Sequence, residues 1–306
     1  MTPRPALPPT MHVLERGWLS SNNILFTGRT GTALADSGYA THAPQTVALV
    51  ASLLDGRKLD LLLNTHLHSD HCGGNAALQK AWGCRTLIPA AHAASVRPWD
   101  EAALTYPATG QQCPRFGFDA TLAPGDLLDL GDLEWQVLGA PGHDPHSVIL
   151  YCPRERILIS ADALWENGFG VVFPELEGES GFAETRATLE LIATLDIRLV
   201  IPGHGAPFTD AGRALATAFS RLDYLAADPV RNARNAVKVL LKFLLLERRR
   251  IGLDILPGLL AGIELVQAAN RRFLRLSDAA LAEWAVAQLV QAGAAQCAGA
   301  YLEDRG

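Results

Sequence analysis

Between Thr65 and His71 the chain reads Thr-His-Leu-His-Ser-Asp-His, placing His66, His68, Asp70 and His71, four groups able to ligate a metal, within six residues. Three of the nine histidines of the chain stand here. Imidazole nitrogens and carboxylate oxygens with no thiolate suit zinc, and they also admit iron, manganese or nickel. Buried histidines and carboxylates without partners are costly, and a metal ion satisfies several at once. His66 and His68, two residues apart, can project to one side of an extended segment, with Asp70 and His71 following where the chain turns. That spacing suits two adjacent ions, one on the His-x-His pair and one on the Asp-His pair. The bland alternative, a polar loop with incidental histidines, accounts poorly for such a concentration. His143 follows the apolar run Leu133–Ala140, Asp162 follows Ile157–Ala161, and His204 follows Arg198–Ile201. Taken singly, a Gly-His-Gly is more often a turn and an Asp after a strand is often a helix cap. Ligands in open α/β sheets gather beyond the carboxyl ends of strands, so four strand ends each offering donors make a shared site the better reading.

The elements that must position these groups follow from periodicity. Leu59-Asp60-Leu61-Leu62-Leu63 reads as a buried strand, residues 73–82 as a helix and 85–88 as another strand, which is βαβ logic. Short strands over 12–36, joined by a Gly28-Arg29-Thr30-Gly31 turn, and a helix at 44–55 precede them. The prolines and glycines of 95–125 predict a long surface loop. Strands return at 126–130, 133–140, 147–152 and 156–160; a helix at 182–194, a strand at 198–201 and a helix at 211–225 follow. Two runs of strands, each with helices on its outer side, predict an α/β fold of the four-layer αβ/βα kind. Beyond residue 230 the pattern is helical at 231–250, 255–269 and 278–292, with a short strand or wing at 295–303.

Charge divides the chain as well. From Asp228 onward there are 11 Lys and Arg against 8 Asp and Glu, whereas the first 227 residues carry 15 against 24. A boundary is therefore expected between a site-bearing domain, 1–227, and a small, mainly helical domain, 228–306. The net charge of −6 disfavours a surface devoted to nucleic acid. Five scattered cysteines without Cys-x-x-Cys spacing point to a reducing compartment and no cysteine metal site. Neither a leader segment nor a membrane span is expected: the N-terminus MTPRPALPPT has no apolar core, and the longest apolar run, Val239 to Leu246, is broken by Lys242. The expected protein is cytoplasmic, with a homodimer left open.

The residues quoted above resemble the metallo-β-lactamase superfamily. Thr65 to His71 matches its His-x-His-x-Asp-His motif without departure, and Ala-Pro-Gly-His143, Ser-Ala-Asp162 and Pro-Gly-His204-Gly match its remaining ligand motifs in order. The similarity spans residues 12–210. It implies the superfamily's four-layer sandwich, with one ion on His66, His68 and His143, a second on Asp70, His71 and His204, and Asp162 bridging both. It further implies a dinuclear site, normally of zinc, whose bridging hydroxide attacks an electrophilic carbonyl or phosphorus. Asp70 and Asp162 would be the catalytic carboxylates, with Asp70 also orienting the water.

Members with a zinc-binding cysteine carry it where this chain has Asp162, so the pattern resembles instead glyoxalase II, lactonases, phosphodiesterases and ribonucleases of the superfamily. An ester, thioester or lactone of a small molecule is the expected substrate. The similar lactonases carry a tyrosine where Trp165 stands, and residues 164–179 contain no Lys or Arg, which disfavours a glutathione thioester. Trp165, Phe169, Val171, Val172 and Phe173 could line an acyl pocket, or simply pack the domain. His146 and Cys72 read as structural rather than ligating. The C-terminal segment resembles the winged-helix tail of some members, among them single-strand ribonucleases. Arg231, Arg234, Lys238 and Lys242 share a helical face that could meet phosphates, although a solvated basic face is commoner. The alternatives are thus a metal-dependent ribonuclease or phosphodiesterase, an iron-dependent sulfur dioxygenase, and a non-catalytic metal-binding protein.

Overall fold

Along both runs of strands apolar residues occupy alternate and often successive positions, so each sheet has two faces to bury. The computed structural model describes residues 6–305; the first five residues of the proline-rich arm and Gly306 lie outside the described residues. β1 (Met11–Leu14), β2 (Asn23–Thr27), β3 (Thr32–Ala35), β4 (Leu61–Leu63), β5 (Arg85–Pro89) and β6 (Ala120–Leu122) form one sheet in that order. Its first three strands run antiparallel and β3 to β6 run parallel. Helices Ala43–Leu54 and Asn75–Trp82 make the crossovers. β7 (Leu127–Leu130), β8 (Leu133–Gly139), β9 (Val148–Cys152), β10 (Ile157–Ala161) and β11 (Leu199–Pro202) form the second sheet, ordered β11-β10-β9-β8-β7. Only β10 and β11 are parallel there, joined through helix Phe182–Ala193.

Three apolar clusters make the layers. Phe26, Leu63, Trp135, Leu150, Ile157, Ile159, Leu199 and Ile201 fill the space between the sheets. The neighbours that point the other way, Leu158 and Val200, pack under Leu189, Ile192 and helix Ala211–Ala226. On the first sheet, Leu34 and Leu62 do the same under Val50, Leu54 and Leu78. This period of two is what the strand sequences encode, and the four-layer αβ/βα arrangement is the predicted one.

Helix Pro229–Arg248 opens on Asp228, whose carboxylate accepts the Val230 N–H, with Pro229 in the first helical position. Ala233, Val237, Leu240, Leu241 and Leu244, on the i, i+4, i+7, i+8, i+11 pattern of one helical face, pack with Leu260, Val266, Leu281, Ala285 and Leu289. β12 (Arg250–Gly252), β13 (Ala295–Ala298) and β14 (Tyr301–Asp304) form an antiparallel sheet ordered β12-β14-β13. Val171 and Leu176, from the segment after β10, belong to this same core.

Two expectations need correction. Residues 95–125 are not a surface loop: Leu104, Tyr106, Cys113 and Phe116 are buried in a cluster with Leu67, Cys72 and Ile88. The helix expected over 255–269 is broken into Leu256–Ala261 and Glu264–Ala269, because Ile263 adopts an extended conformation after Gly262. Among the described residues no helix is long and apolar enough to cross a membrane.

Candidate metal centre

All seven donor residues converge at the carboxyl ends of β4, β10 and β11 and beyond β8. His66, His68 and His143 form one group, and Asp70, His71, Asp162 and His204 a second; within each, donor atoms lie within 4.8 Å of one another. Asp70 and His71 sit in a single helical turn, Ser69–Cys72, where the chain turns as expected.

Ring orientations in the first group point to a cation. His68 Nδ1 lies 2.8 Å from His143 Nε2 and 3.1 Å from His66 Nε2. His143 Nδ1 lies 2.6 Å from the Val171 carbonyl, which it can meet only as a donor, so its Nε2 is the ring nitrogen turned toward the other two rings. Burial, reinforced by neighbouring histidines, holds His66 well below its ordinary pKa and brings His68 down to about 4. Three imidazoles whose ring nitrogens face one another offer the donor set a divalent ion requires.

The second group is a histidine set among carboxylates. His71 Nδ1–H donates to Asp36 Oδ2 at 2.8 Å, leaving its fully buried Nε2 without a hydrogen-bond partner among the described residues. That nitrogen lies 3.5 Å from Asp162 Oδ1 and 3.9 Å from Asp70 Oδ2. Burial works to lower the His71 pKa, but Asp162, Asp36 and Asp70 outweigh it and hold the pKa well above the usual value. Without an ion, a proton on His71 is the cation nearest those carboxylates; a metal would take over that role. Burial works against ionising Asp162, yet His71, His204 and His143 keep it well below the carboxylate range. Its two oxygens are divided between the groups: Oδ2 is 3.4 Å from His143 Nε2, and Oδ1 faces His71 and, at 3.9 Å, His204 Nε2. The donor set thus fits two divalent ions.

Backbone geometry aims Asp162. The β10–β11 register shifts between Ile159 and Ala161, and Ala161 takes φ +45°, so β10 bends where the carboxylate must turn inward. Gly203 leaves it room: a Cβ there would stand 2.2 Å from Asp162 Oδ1.

Several supporting groups escaped the sequence reading. Asp36, at the end of β3, orients His71 and accepts from both the N–H and the Oγ1 of Thr65. Asp144 Oδ2 lies 3.7 Å from His68 Nε2. The only sequence signal for Asp36 is an acid directly after an apolar strand, the same signal that marked Asp162. Trp165 Nε1–H donates to Asp162 Oδ1 at 3.2 Å, a contact that neither the lining nor the packing alternative for it included. Trp18 stacks on His204 with ring centroids 5.4 Å apart.

The groups open into a narrow pocket of about 100 Å³ lined by Trp18, Trp165, Phe169, Val171 and Phe173, with Val239 and Phe243 from helix Pro229–Arg248. Val172 follows the other alternative of the sequence reading and packs in the core outside the second sheet. His146 is exposed with its ring against His92, and Cys72 is buried against Tyr106 and Cys113; neither joins the donor groups. Lys242 does not share the basic face but is tied to Asp304 and the Ala294 carbonyl.

This fold and site are those of the metallo-β-lactamase superfamily, whose family model matches residues 16–204. The chain belongs to that superfamily. It is 35% identical over 132 residues to a hydroxyacylglutathione hydrolase of Rhodopseudomonas palustris strain CGA009, covering 43% of this chain and 44% of the relative. It is 28% identical over 178 residues to a hydroxyacylglutathione hydrolase of Rhizobium etli, covering 58% and 60%. The chain therefore matches about half the length of these relatives. A metallo-beta-lactamase family protein from Thermus thermophilus superposes with TM-score 0.58 at 20% identity, over 98% of this chain and all of that one. A structure described as TTHA1623 in a di-iron-bound form gives TM-score 0.55 at 27% identity, covering 68% and 98%.

Proposed function

We propose that the chain is a dinuclear metal-dependent hydrolase of a small-molecule acyl ester or thioester. In this reading His66, His68 and His143 would hold one ion, Asp70, His71 and His204 the other, and Asp162 would offer an oxygen to each. The observation that carries it is the division of the Asp162 oxygens between the two donor groups, with no thiolate in either. Two bound divalent ions would supply Lewis acidity and water of lowered pKa. Zinc is the first choice, and the di-iron form of a related structure makes iron the second. The protein's own part is positional. Asp70, 3.0 Å from His204 Nε2, would orient a water beside the reacting carbonyl. Trp165 fixes the Asp162 carboxylate, and the aromatic walls with Phe243 exclude bulk water and accept an apolar acyl group. Thioester chemistry is favoured by the relatives' own hydroxyacylglutathione hydrolysis. A unit at 228–306 that roofs the site, distinct from 1–227, is part of the proposal and is supported by an apolar core drawn mostly from its own residues.

The test is metal content and turnover together. Protein purified without chelator should carry close to two metal equivalents. Asp162→Ala should lower that to one or fewer and reduce kcat by about three orders of magnitude, with an unchanged circular dichroism spectrum. Less than one equivalent in the parent, or full activity in Asp162→Ala, would refute the dinuclear assignment.

A further inference from the structure

We propose that the groove between helices Ala211–Ala226 and Pro229–Arg248 binds the phosphate-bearing part of the substrate, whose acyl end reaches the metal centre. The proposal rests on the acyl-hydrolase reading and specifies the leaving group. The groove measures about 940 Å³, against about 100 Å³ for the pocket at the donor groups, and Arg221 and Asn235 line both. One molecule can therefore occupy the two together, and the pocket alone is too small for more than its reacting end.

The charge of the groove is one-sided. Arg213, Arg221, Arg231, Arg234 and Lys238 line it, and no acidic side chain does. Arg213 is engaged by Glu166 at 2.7 Å and approached by Asp210, while Arg231 is held near Asp228 at 3.6 Å and over the Tyr224 ring. Arg221, Arg234 and Lys238 have no ion pair or hydrogen bond among the described residues. Arg234 and Lys238 are one helical turn apart, so their head groups can meet neighbouring phosphate oxygens.

Arg221 shows that the groove is built rather than incidental. Its guanidinium lies over the Phe169 ring, 5.6 Å from the centroid, and its Nε is buried with no acceptor. Gly168, at φ +131°, provides the space: a Cβ there would lie 2.9 Å from Arg221 Cδ. A cation held half-buried without a counter-charge is costly unless an anion arrives with the ligand. Three unneutralised cations exceed what one carboxylate needs and match a diphosphate, and the arginine fork fits phosphate oxygens. A small molecule is favoured over a polynucleotide because the groove shares Arg221 and Asn235 with the acyl pocket and the first 227 residues carry 24 acidic against 15 basic side chains.

Binding to metal-free protein tests the groove apart from catalysis. Titration calorimetry with ADP should show saturable binding, weakened by added salt. Unphosphorylated adenosine should bind at least ten-fold more weakly. The double variant Arg234→Ala/Lys238→Ala should raise the ADP Kd ten-fold or more while keeping the parent circular dichroism spectrum, and Arg221→Gln should do so as well. ADP binding no tighter than adenosine, an unchanged Kd in the double variant, or binding of a single-stranded oligonucleotide alone would each overturn the proposal. With metal-loaded enzyme, an acyl thioester of a diphosphate-bearing thiol should show a KM increase in the double variant, while the same acyl group on an uncharged thiol should not. Turnover of both thioesters without ADP binding would remove the groove assignment and leave the acyl reading standing. Cation-dependent ADP binding without turnover of either would do the reverse.

Discussion

At the scale of single residues, the site depends on how little space surrounds Asp162. The Cβ of an alanine at 203 would stand 2.2 Å from Asp162 Oδ1, so Gly203→Ala must displace the carboxylate or its backbone. Overpacking of this kind costs about 1–3 kcal/mol, but its larger consequence should be chemical. Metal analysis of Gly203→Ala is expected to show loss of about one equivalent, with a kcat drop of at least a hundred-fold; retention of both ions and full turnover would show that Asp162 has slack. The seven donors themselves were legible in the sequence, because each lies directly beyond a run of apolar residues and histidines are scarce elsewhere. The groups that orient them were not. Asp36 meets His71 from 35 residues away, and the Val171 carbonyl meets His143 from 28 away. A backbone carbonyl leaves no trace in residue type.

Among elements, strands were read more faithfully than their connections. A period of two in β10 and β11 identifies both the faces and the ends. The buried residues of 95–125, Leu104, Tyr106, Cys113 and Phe116, follow no period, and the surrounding prolines and glycines conceal them. Gly262 likewise sits inside a helical apolar pattern that does not reveal a break. Helix Pro229–Arg248 is the element with the most assignments, since it lines both the pocket and the groove. Its start is fixed by the Asp228 cap. Asp228→Ala should cost about 1 kcal/mol, seen as a lower urea midpoint at unchanged slope. An unaltered midpoint would mean that the proline and the apolar face define the start without the cap.

At the scale of the whole molecule, the helical C-terminal segment and the metal centre share a strip of chain. Leu241 is fully buried among the C-terminal residues, and Leu241→Ala should destabilise the protein by about 2–5 kcal/mol. If the core is continuous with the pocket roof, the variant should also lose metal to a weak chelator faster than the parent; a stability loss with parental metal release would show the two to be independent. The basic face of this segment was legible as a stripe of charges, but its direction was not: only the packing of helix Pro229–Arg248 against Ala211–Ala226 turns Arg234 and Lys238 over the groove and leaves Lys242 to Asp304. The connecting strip is Val171, whose side chain lies in the C-terminal core while its carbonyl holds the ring of His143. Where Val171 couples the two, thermodynamic linkage makes the effect reciprocal: loosening the core weakens the grip on the ion, and binding of the ion tightens the core by an equal free energy. The metal then acts as a fastener between two parts of the chain, and scarcity of metal would be felt first as fragility.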